Sequence, residues 1–356
     1  MSEQVSAWAE QIRSAAQSGS PLCIEGGGSK RFYGREAQGE VLNVAGHAGV
    51  VSYEPTELVV TVRGGTPLSE LEAVLAEQGQ FLAFEPPRFG SGATVAGCVA
   101  TGLSGPRRAT AGAVRDFMLG VKILDGRGEI LSFGGQVMKN VAGYDVSRLI
   151  AGSLGTLGVI LEASIKVLPR PVAEETLRFA LTEVDAISRV NDWGAQPLPL
   201  SASAWADGVL TLRLSGAGAA VQAACARLGG ERVDAPAAAV FWDGLREQQA
   251  DFFAATTDVP LWRLSLPSSA SPLKLAGAQL IEWGGAQRWL VSDADGERIR
   301  ERAAALGGHA TLFRGGDRTA EVFTPLPAPL LTIHRRLKAA FDPAGILNPG
   351  RLYQGL

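Results

Sequence analysis

The chain has 356 residues, of which 46% are hydrophobic and 19% are charged, and its formal net charge is −3. This length exceeds one typical domain, and the composition is that of an ordinary globular protein with an ample core. The sequence contains no basic block that favours nucleic acid and no apolar run of the roughly 18 residues needed to span a membrane. We therefore expect a cytoplasmic protein that binds no nucleic acid and has no transmembrane segment.

The first 170 residues alternate short apolar segments with Gly and Pro. Residues 1–20 predict an amphipathic surface helix, and residues 68–78 predict another that ends at Gly79. Predicted strands cover residues 22–25, 50–54, 58–63 and 159–168. Residues 125–128 (DGRG) predict a hairpin turn between strands 120–124 and 130–133. A short helix is expected at residues 145–151.

The segment Pro169-Arg170-Pro171 is the best domain boundary, because two fixed φ angles end the preceding strand and open a linker. Beyond it, strands predicted at 175–181, 209–214 and 261–266 and a hairpin at 281–291 alternate with helices at 184–193, 219–228, 240–254 and 294–306. This mixture predicts an antiparallel sheet covered by helices, and no internal repeat is apparent. Residues 330–341 predict an amphipathic helix. We expect three parts: residues 1–170, residues 171–326, and a tail of residues 327–356 that returns to the first part.

Three glycine-rich segments point to a ligand: a first glycine loop (residues 26–30), a second (89–98) and a third (152–160). Consecutive glycines expose backbone amides without a Cβ and can form a nest for a phosphate. An isolated loop of this kind is equally well a surface turn, but three of them suit a long ligand such as a dinucleotide. The nicotinamide fingerprint is absent, because residues 30–34 (KRFYG) are too basic and aromatic to open a buried helix.

Cysteines and histidines give no sign of a metal site or a catalytic residue. The three cysteines lie far apart without a C-x-x-C pair, at Cys23, Cys98 and Cys225. Cys98 lies in an apolar run, which favours a small buried thiol over a nucleophile. The histidines have no metal-ligand spacing: His47, His309 and His334.

Several segments resemble the flavin domain of the vanillyl-alcohol-oxidase (p-cresol methylhydroxylase, PCMH) superfamily: residues 26–30, 93–97, 114–120, 143–145 and 155–160. The tail from residues 341–343 to 348–351 resembles the C-terminal signature of the lactate/glycolate branch. The resemblance covers about residues 20–170 and 330–352. It implies an α+β fold with a two-subdomain PCMH-type FAD-binding domain, followed by a smaller α+β cap domain with an antiparallel sheet.

Within this superfamily, the short length and residues 105–108 and 139–145 are most similar to the small FAD-binding subunits of bacterial glycolate oxidases. Those enzymes also contain a larger flavin subunit and an iron–sulfur subunit. The resemblance implies an oxidoreductase subunit that holds FAD for electron transfer while the complex oxidises glycolate, a small 2-hydroxy acid, to glyoxylate. It also leaves open peripheral association with the inner membrane through the complex.

The resemblance implies cofactor contacts from all three loops. The first loop would hold the FAD diphosphate by backbone amides of Gly26, Gly27, Gly28, Ser29 and Lys30. The second would contact the diphosphate and isoalloxazine through Gly92, Ala93, Thr94, Val95, Gly97 and Cys98. The third would follow the adenine and ribose with Gly155, Gly158, Val159 and Ile160, although Gly155 and Gly158 could simply turn the chain into the strand.

Two polar residues have open roles. Arg107 could neutralise a phosphate or place positive charge beside the flavin N1–C2=O edge, and a solvated loop explains it equally well. Asn348 could reach the flavin, and the alternative is a helix-stop role for residues 342–349.

The sequence departs from the superfamily at two points. Many members attach FAD through a histidine in the first glycine loop, but here that loop holds Ser29 and Lys30, so we expect non-covalent FAD. The 2-hydroxy-acid dehydrogenases of the superfamily have a histidine-rich metal motif in the second domain, where this chain has only His309. Three functions stay open: a redox subunit, a structural docking subunit, and a self-contained FAD-dependent alcohol or 2-hydroxy-acid oxidoreductase.

Overall fold

The computed structural model describes residues 3–135, 145–254 and 259–356. The helices are α1 (Glu3–Ser18), α2 (Leu68–Glu77), α3 (Val95–Thr101), α4 (Arg108–Ala111), α5 (Val114–Phe117), α6 (Val146–Ile150), α7 (Glu183–Gly194), α8 (Gly218–Leu228), α9 (Ala235–Arg246), α10 (Asp251–Ala254), α11 (Gly296–Ala305) and α12 (Ala328–Phe341). Of the segment 139–145 that carried part of the resemblance, only Asp145 lies among the described residues.

The strands are β1 (Leu22–Glu25), β2 (Glu40–Asn43), β3 (Val50–Glu54), β4 (Val59–Arg63), β5 (Gln80–Phe81), β6 (Met118–Leu124), β7 (Ile130–Gly134), β8 (Val159–Lys166), β9 (Leu168–Pro169), β10 (Ala173–Ala180), β11 (Leu200–Ala206), β12 (Val209–Gly216), β13 (Glu231–Val233), β14 (Leu261–Ser265), β15 (Ala278–Glu282), β16 (Gln287–Val291) and β17 (His309–Arg314). The mixture of helices and antiparallel sheets confirms the α+β class.

The N-terminal part contains two small cores. In the first, α1 covers the parallel pair β1–β2, and its apolar face of Val5, Trp8 and Ile12 packs on Leu22 and Leu42. Their spacing of three and four residues places them on one side of the helix, as the predicted amphipathic pattern requires.

The second core belongs to a five-stranded antiparallel sheet in the order β3-β4-β8-β6-β7, packed against α2 and α3. The predicted hairpin is confirmed between β6 and β7. Its turn is held by the buried Asp125, whose carboxylate accepts hydrogen bonds from the amides of Arg127 and Glu129, both at 2.9 Å. This local hydrogen bonding is what favours Asp in turns.

Beyond the predicted boundary lies an eight-stranded antiparallel sheet, the cap sheet, in the order β13-β10-β12-β11-β15-β16-β14-β17. Its two halves repeat one arrangement. Numbered by their order along the chain, the strands of the first half lie in the order 4-1-3-2 and those of the second in the order 2-3-1-4, so the halves meet through β11 and β15. No internal repeat is apparent in the amino-acid sequence of this region.

One helix prediction in the cap is wrong. Residues 240–254 were expected to form a single helix, but α9 ends at Arg246 and α10 begins at Asp251. Between them Gln248 adopts a left-handed conformation with φ of 53°, and the amides of Gln249 and Ala250 both donate to the carbonyl of Gly244. A left-handed residue followed by such bonds ends an α-helix.

After α12 the tail returns to the N-terminal part. Leu347 forms a parallel bridge with Leu22 of β1, and the amide of Asn348 donates to the Leu22 carbonyl at 2.9 Å. A buried ion pair holds the turn in place: Lys338 donates to Asp342 at 2.7 Å and to the carbonyls of Thr156 and Leu347. The Asp342 carboxylate also accepts the amides of Ile346 and Leu347. The position of the domain boundaries stays a prediction.

Replacing Asp342 by alanine should destabilise the protein by about 3–5 kcal/mol, because it leaves the buried Lys338 ammonium without its counter-ion. Lys338→Met should cost less, since the carboxylate keeps two amide donors. The exposed Arg336 on the same helix provides the control variant, Arg336→Met. Urea unfolding of the three variants checks this order, and equal effects of D342A and R336M would contradict it.

Candidate cofactor site

A cavity of about 790 Å³ lies between the two cores of the N-terminal part. Its volume is within the usual range for small-molecule and cofactor sites. Its walls come from β1 and the first glycine loop, from β2, from α3, from the third glycine loop, and from two later segments at residues 316–318 and 348–351. Residues far apart in the sequence therefore meet around one ligand-sized space.

Gly26 and Gly27 of the first glycine loop have no room for a side chain. A Cβ on Gly27 would lie 1.4 Å from the carbonyl oxygen of Gly92, and one on Gly26 would lie 2.6 Å from the hydroxyl of Thr94. Gly28 has a φ of 70°, a left-handed conformation that glycine adopts without strain. The first and second loops therefore pack backbone against backbone, with the first loop along the cavity.

The amides of this loop are available to a ligand. Within the described ranges, the backbone N–H groups of residues 26–30 have no hydrogen-bond acceptor. Unpaired amides beside a cavity are the donors that a phosphate needs. The Glu25 carboxylate also lines the cavity, but it is bound by the Arg31 guanidinium, which offsets its repulsion of an anion.

Lys30 lines the same wall as a buried cation. Its ammonium donates to the carbonyl of Arg88 at 3.1 Å and to Ser29 at 3.4 Å. Burial lowers the pKa of Lys30.

Only some of the residues predicted to contact the cofactor from the second glycine loop line the cavity. Thr94 and Gly97 line the cavity, and the Thr94 hydroxyl also caps α3 by accepting the amide of Gly97 at 3.2 Å. The other predicted residues are outside the lining: Gly92, Ala93, Val95 and Cys98. Gly92 packs against Gly27, and the other three turn into the core, where burial raises the pKa of Cys98 to about 12. Cys98 is thus an inert buried thiol, as the sequence indicated.

The third loop meets the tail. Gly155, Gly158 and Ile160 line the cavity, whereas Val159 is fully buried on the other side of β8. A Cβ on Gly155 would lie 2.7 Å from the side-chain nitrogen of Asn348.

Asn348 lines the cavity, but its amide group also joins three chain segments. The oxygen accepts the amide of Ile24 at 2.7 Å, and the nitrogen donates to the carbonyl of Leu154 at 2.6 Å. These bonds favour a role in which the Asn348 side chain positions neighbouring segments of the chain. Such a role is closer to the helix-stop alternative for residues 342–349 than to direct contact with the flavin.

The structure does not bring Arg107 to this cavity. Its guanidinium and backbone amide bind the Glu85 carboxylate, at 3.2 and 2.9 Å, and the guanidinium also binds Glu174. Arg213 of β12 binds the same Glu85 at 2.8 Å. Arg107 is therefore part of a buried ion cluster between the N-terminal part and the cap, and we omit it from the proposed site.

Sequence reasoning missed three arginines of the lining: Arg31, which binds Glu25, and the two later residues Arg351 and Arg318. Arg351 donates to the carbonyls of Arg31, Tyr33 and Arg35 and so fixes the chain just after the first loop. It belongs to the tail segment that carried the resemblance, which could have singled it out. Arg318 lies in the turn after β17, where no sequence pattern marked it. Its terminal nitrogens are buried and have no hydrogen-bond partner in the described part of the chain.

These features fit a dinucleotide with a diphosphate. The first glycine loop, where Gly26 and Gly27 have no room for a Cβ, offers free amides to one wall, and a buried guanidinium that lacks a partner among the described residues lines the same space. Among the described residues, no group of three or more His, Cys, Asp or Glu side chains could hold a metal ion. No helix within residues 3–135, 145–254 and 259–356 is long and apolar enough to cross a membrane.

Comparison with protein families gives two matches. The family described as "FAD binding domain" matches residues 3–134, which include the first and second glycine loops. The family described as "FAD linked oxidases, C-terminal domain" matches residues 314–352, which include Arg318, Asn348 and Arg351. The cofactor of this chain is therefore FAD.

Solved structures show the same fold at low sequence identity. The chain superposes on alkyldihydroxyacetonephosphate synthase with a TM-score of 0.68 and 15% identity, over 97% of this chain and 75% of that one. This confirms the PCMH-type fold.

Curated relatives extend the comparison to sequence. The chain is 30% identical over 140 residues to the glycolate oxidase subunit GlcD of Bacillus subtilis, covering 39% of this chain and 30% of that protein. It is 50% identical over 347 residues to the glycolate oxidase subunit GlcE of Escherichia coli K12, covering 98% of this chain and 97% of that protein. The chain therefore belongs to the GlcE family of FAD-dependent oxidoreductase subunits.

Proposed function

We propose that this chain is the FAD-binding subunit of a multi-subunit glycolate oxidase, in which it holds FAD for electron transfer while a larger flavin subunit carries the substrate site. An iron–sulfur subunit completes the proposed complex. The observation that carries the proposal is a ligand-sized cavity with a phosphate cradle, beside which the described residues leave a space of only about 20 Å³. A second cavity of about 890 Å³, lined by Glu85, Arg107 and Arg213 among others, shares no lining residue with the cofactor cavity. Similarity along nearly the whole chain to a glycolate oxidase subunit supports the proposed reaction.

The proposed cofactor contacts start at the first glycine loop, where the amides of residues 26–30 would hold the diphosphate. Thr94 and Gly97 would contact the cofactor from α3, and Gly155, Gly158 and Ile160 from the opposite wall. Bound FAD supplies reversible one- and two-electron redox chemistry. The chain contributes the binding, orientation and exclusion of water around it.

We propose that FAD is held without a covalent bond. Ser29 follows the three glycines at the place where many superfamily members carry a histidine, and the described residues of the lining include no histidine. Cys23 also lines the cavity, but burial raises its pKa and keeps the thiol protonated.

A substrate would need space beside the cofactor, where β16 and β17 of the cap sheet face the first glycine loop, and aromatic side chains fill that region. The ring of Phe313 on β17 lies 5.3 Å from Tyr33 and 4.8 Å from Trp289. Phe32 and Phe89 pack at the same place. The cavity left beside these rings is only about 20 Å³, room for a single water molecule.

Glu282 is the one residue beside this small cavity whose titration would suit a general base. Burial raises the pKa of Glu282 to about 7, within the range of catalytic bases. However, one of its oxygens accepts both Trp289 at 2.6 Å and Gln287 at 3.1 Å, so the carboxyl is part of the packed interface. We therefore assign it no role in the reaction.

Replacing Glu282 by glutamine should stabilise the protein above pH 7. The folded state keeps the Glu282 proton up to about pH 7, whereas the unfolded chain releases it near 4.5, so the wild type loses stability as pH rises between these values. Glutamine keeps an acceptor for Trp289 without a charge, so E282Q should gain about 3 kcal/mol at pH 8. Thermal unfolding from pH 4.5 to 8, with the exposed Glu297→Gln as control, measures the difference. An unchanged pH slope in E282Q would contradict the prediction, and loss of glycolate oxidation in the assembled complex would restore Glu282 as a catalytic candidate.

Replacing Gly27 by valine should give a folded protein without FAD, because the added Cβ collides with the carbonyl of Gly92 and forces the two loops apart. Gly194→Val is the matched control, since a Cβ there meets nothing within 4 Å. Flavin released into the supernatant by acid precipitation measures the content, and circular dichroism checks the fold. Normal flavin content in G27V would refute the proposed cradle, and yellow colour that stays with the wild-type precipitate would refute non-covalent binding.

The isolated chain should not oxidise glycolate, because residues 3–135, 145–254 and 259–356 place neither a clamp for the carboxylate nor a free base in the space of about 20 Å³ beside the cofactor cavity. Dye reduction by glycolate is measured with this chain alone and then with the larger flavin subunit and the iron–sulfur subunit added. Photoreduced FAD in this chain should be reoxidised when those partners are present. Turnover by the isolated chain would favour a self-contained oxidase, and FAD that never exchanges electrons with the partners would favour a structural subunit.

A further inference from the structure

We propose that Arg318 binds an anionic group of the bound FAD and is the main charged ligand that this chain offers to the cofactor. The proposal rests on FAD occupying the cavity described above. It concerns a residue of the cap, on the turn after β17, and thus links the second part of the chain to cofactor binding.

The other cations of the lining are already used. Arg31 is bound to the Glu25 carboxylate, Lys30 donates to the Arg88 carbonyl, and Arg351 donates to three backbone carbonyls. Arg318 differs, because the described residues provide no partner for either terminal nitrogen. A buried charged group without a hydrogen-bond partner is costly, and native proteins seldom keep one without a reason.

The backbone holds Arg318 in place. Arg35 donates to the carbonyls of Thr319 and Ala320, and the amide of Glu36 donates to the carbonyl of Arg318 itself at 3.2 Å. Asp317 is engaged by the amide and hydroxyl of Thr319 at 2.8 and 2.6 Å, so it does not neutralise its neighbour. The backbone of Arg318 is therefore held at the cavity wall, while its terminal nitrogens have no partner among the described residues.

Arg318 stays charged under ordinary conditions. Burial, with a contribution from the nearby Arg351, lowers its pKa to about 10, which still leaves the guanidinium protonated at neutral pH. The planar fork of a guanidinium matches phosphate oxygens in geometry as well as charge.

FAD offers two sources of negative charge: the diphosphate, which is always ionised, and the N1–C2=O edge of the flavin, which becomes anionic on reduction. The diphosphate is the permanent partner and so the favoured one. Either source satisfies the guanidinium, and the test separates them.

The test compares Arg318→Met with wild type and with the exposed Arg298→Met as control. Loss of a charge-assisted hydrogen bond should weaken FAD binding by about 10- to 100-fold, measured by flavin fluorescence on titrating apoprotein. Removing an unpaired buried cation should at the same time leave the melting temperature of the apoprotein unchanged or higher. Arg318→Lys, which keeps the charge without the fork, should bind FAD with intermediate affinity.

Two further measurements identify the anionic group. If it is the diphosphate, R318M should weaken ADP binding as much as FAD binding. If it is the flavin edge, ADP binding should be unchanged and the reduction potential of bound FAD should fall. Where apoprotein cannot be prepared, the rate of FAD release on dilution of the holoprotein replaces the titration, with faster release expected for R318M.

Two outcomes would overturn the inference. One is an unchanged affinity of R318M for FAD in both redox states, and the other is a loss of affinity that accompanies a lower melting temperature of the apoprotein. If wild type and R298M bind FAD and support glycolate oxidation in the complex, either outcome defeats only the role of Arg318. If wild type itself binds no FAD, the proposed function fails first.

Discussion

The hydrogen bonds of Asn348 connect the parts on which the cofactor site depends. Its side chain accepts a hydrogen bond from the amide of Ile24 in β1, two residues before the first glycine loop, and donates one to the carbonyl of Leu154 in the third. The conformation of both partners is constrained: Asn348 has a φ of 42° and Leu154 a φ of 50°. Such left-handed conformations are uncommon outside glycine and persist where surrounding contacts determine them. The distance between two walls of the cavity is thus set by a residue in the tail.

Local patterns predicted the parts of the fold that local chemistry determines. The Asp-Gly turn after β6 and the apolar face of α1 depend on neighbours within a few residues. The central strand β11 was missed, because its Ser and Ala residues have low strand propensity and are held by pairing with β12 and β15. The repeated order of the cap strands also lies entirely in pairing between distant segments, which leaves no periodic signal in the sequence.

For the site, the sequence predicted which segments line the cavity better than it predicted which residues of each segment face the cavity. Thr94 and Ile160 line the cavity, while their chain neighbours Val95 and Val159 are buried in the cores, since adjacent residues on a strand or helix point to different sides. Arg107 was considered for the cofactor or for a solvated loop, and neither alternative included its partner Glu85, which lies 22 residues away in another loop. Arg318 was missed, because nothing in its own segment of the sequence shows that its guanidinium lacks a partner.

The order in which the walls are synthesised has a consequence for when the cofactor site is complete. Asn348 and Arg351 are made after every other segment of the lining, and Asn348 joins the first and third loops only when the tail has returned to β1. While the ribosome still holds this tail, the glycine loops lack the bonds that set their spacing. The site is therefore complete only once the tail has been synthesised and has returned to β1, so the spacing of the glycine loops depends on a segment made later than the rest of the lining.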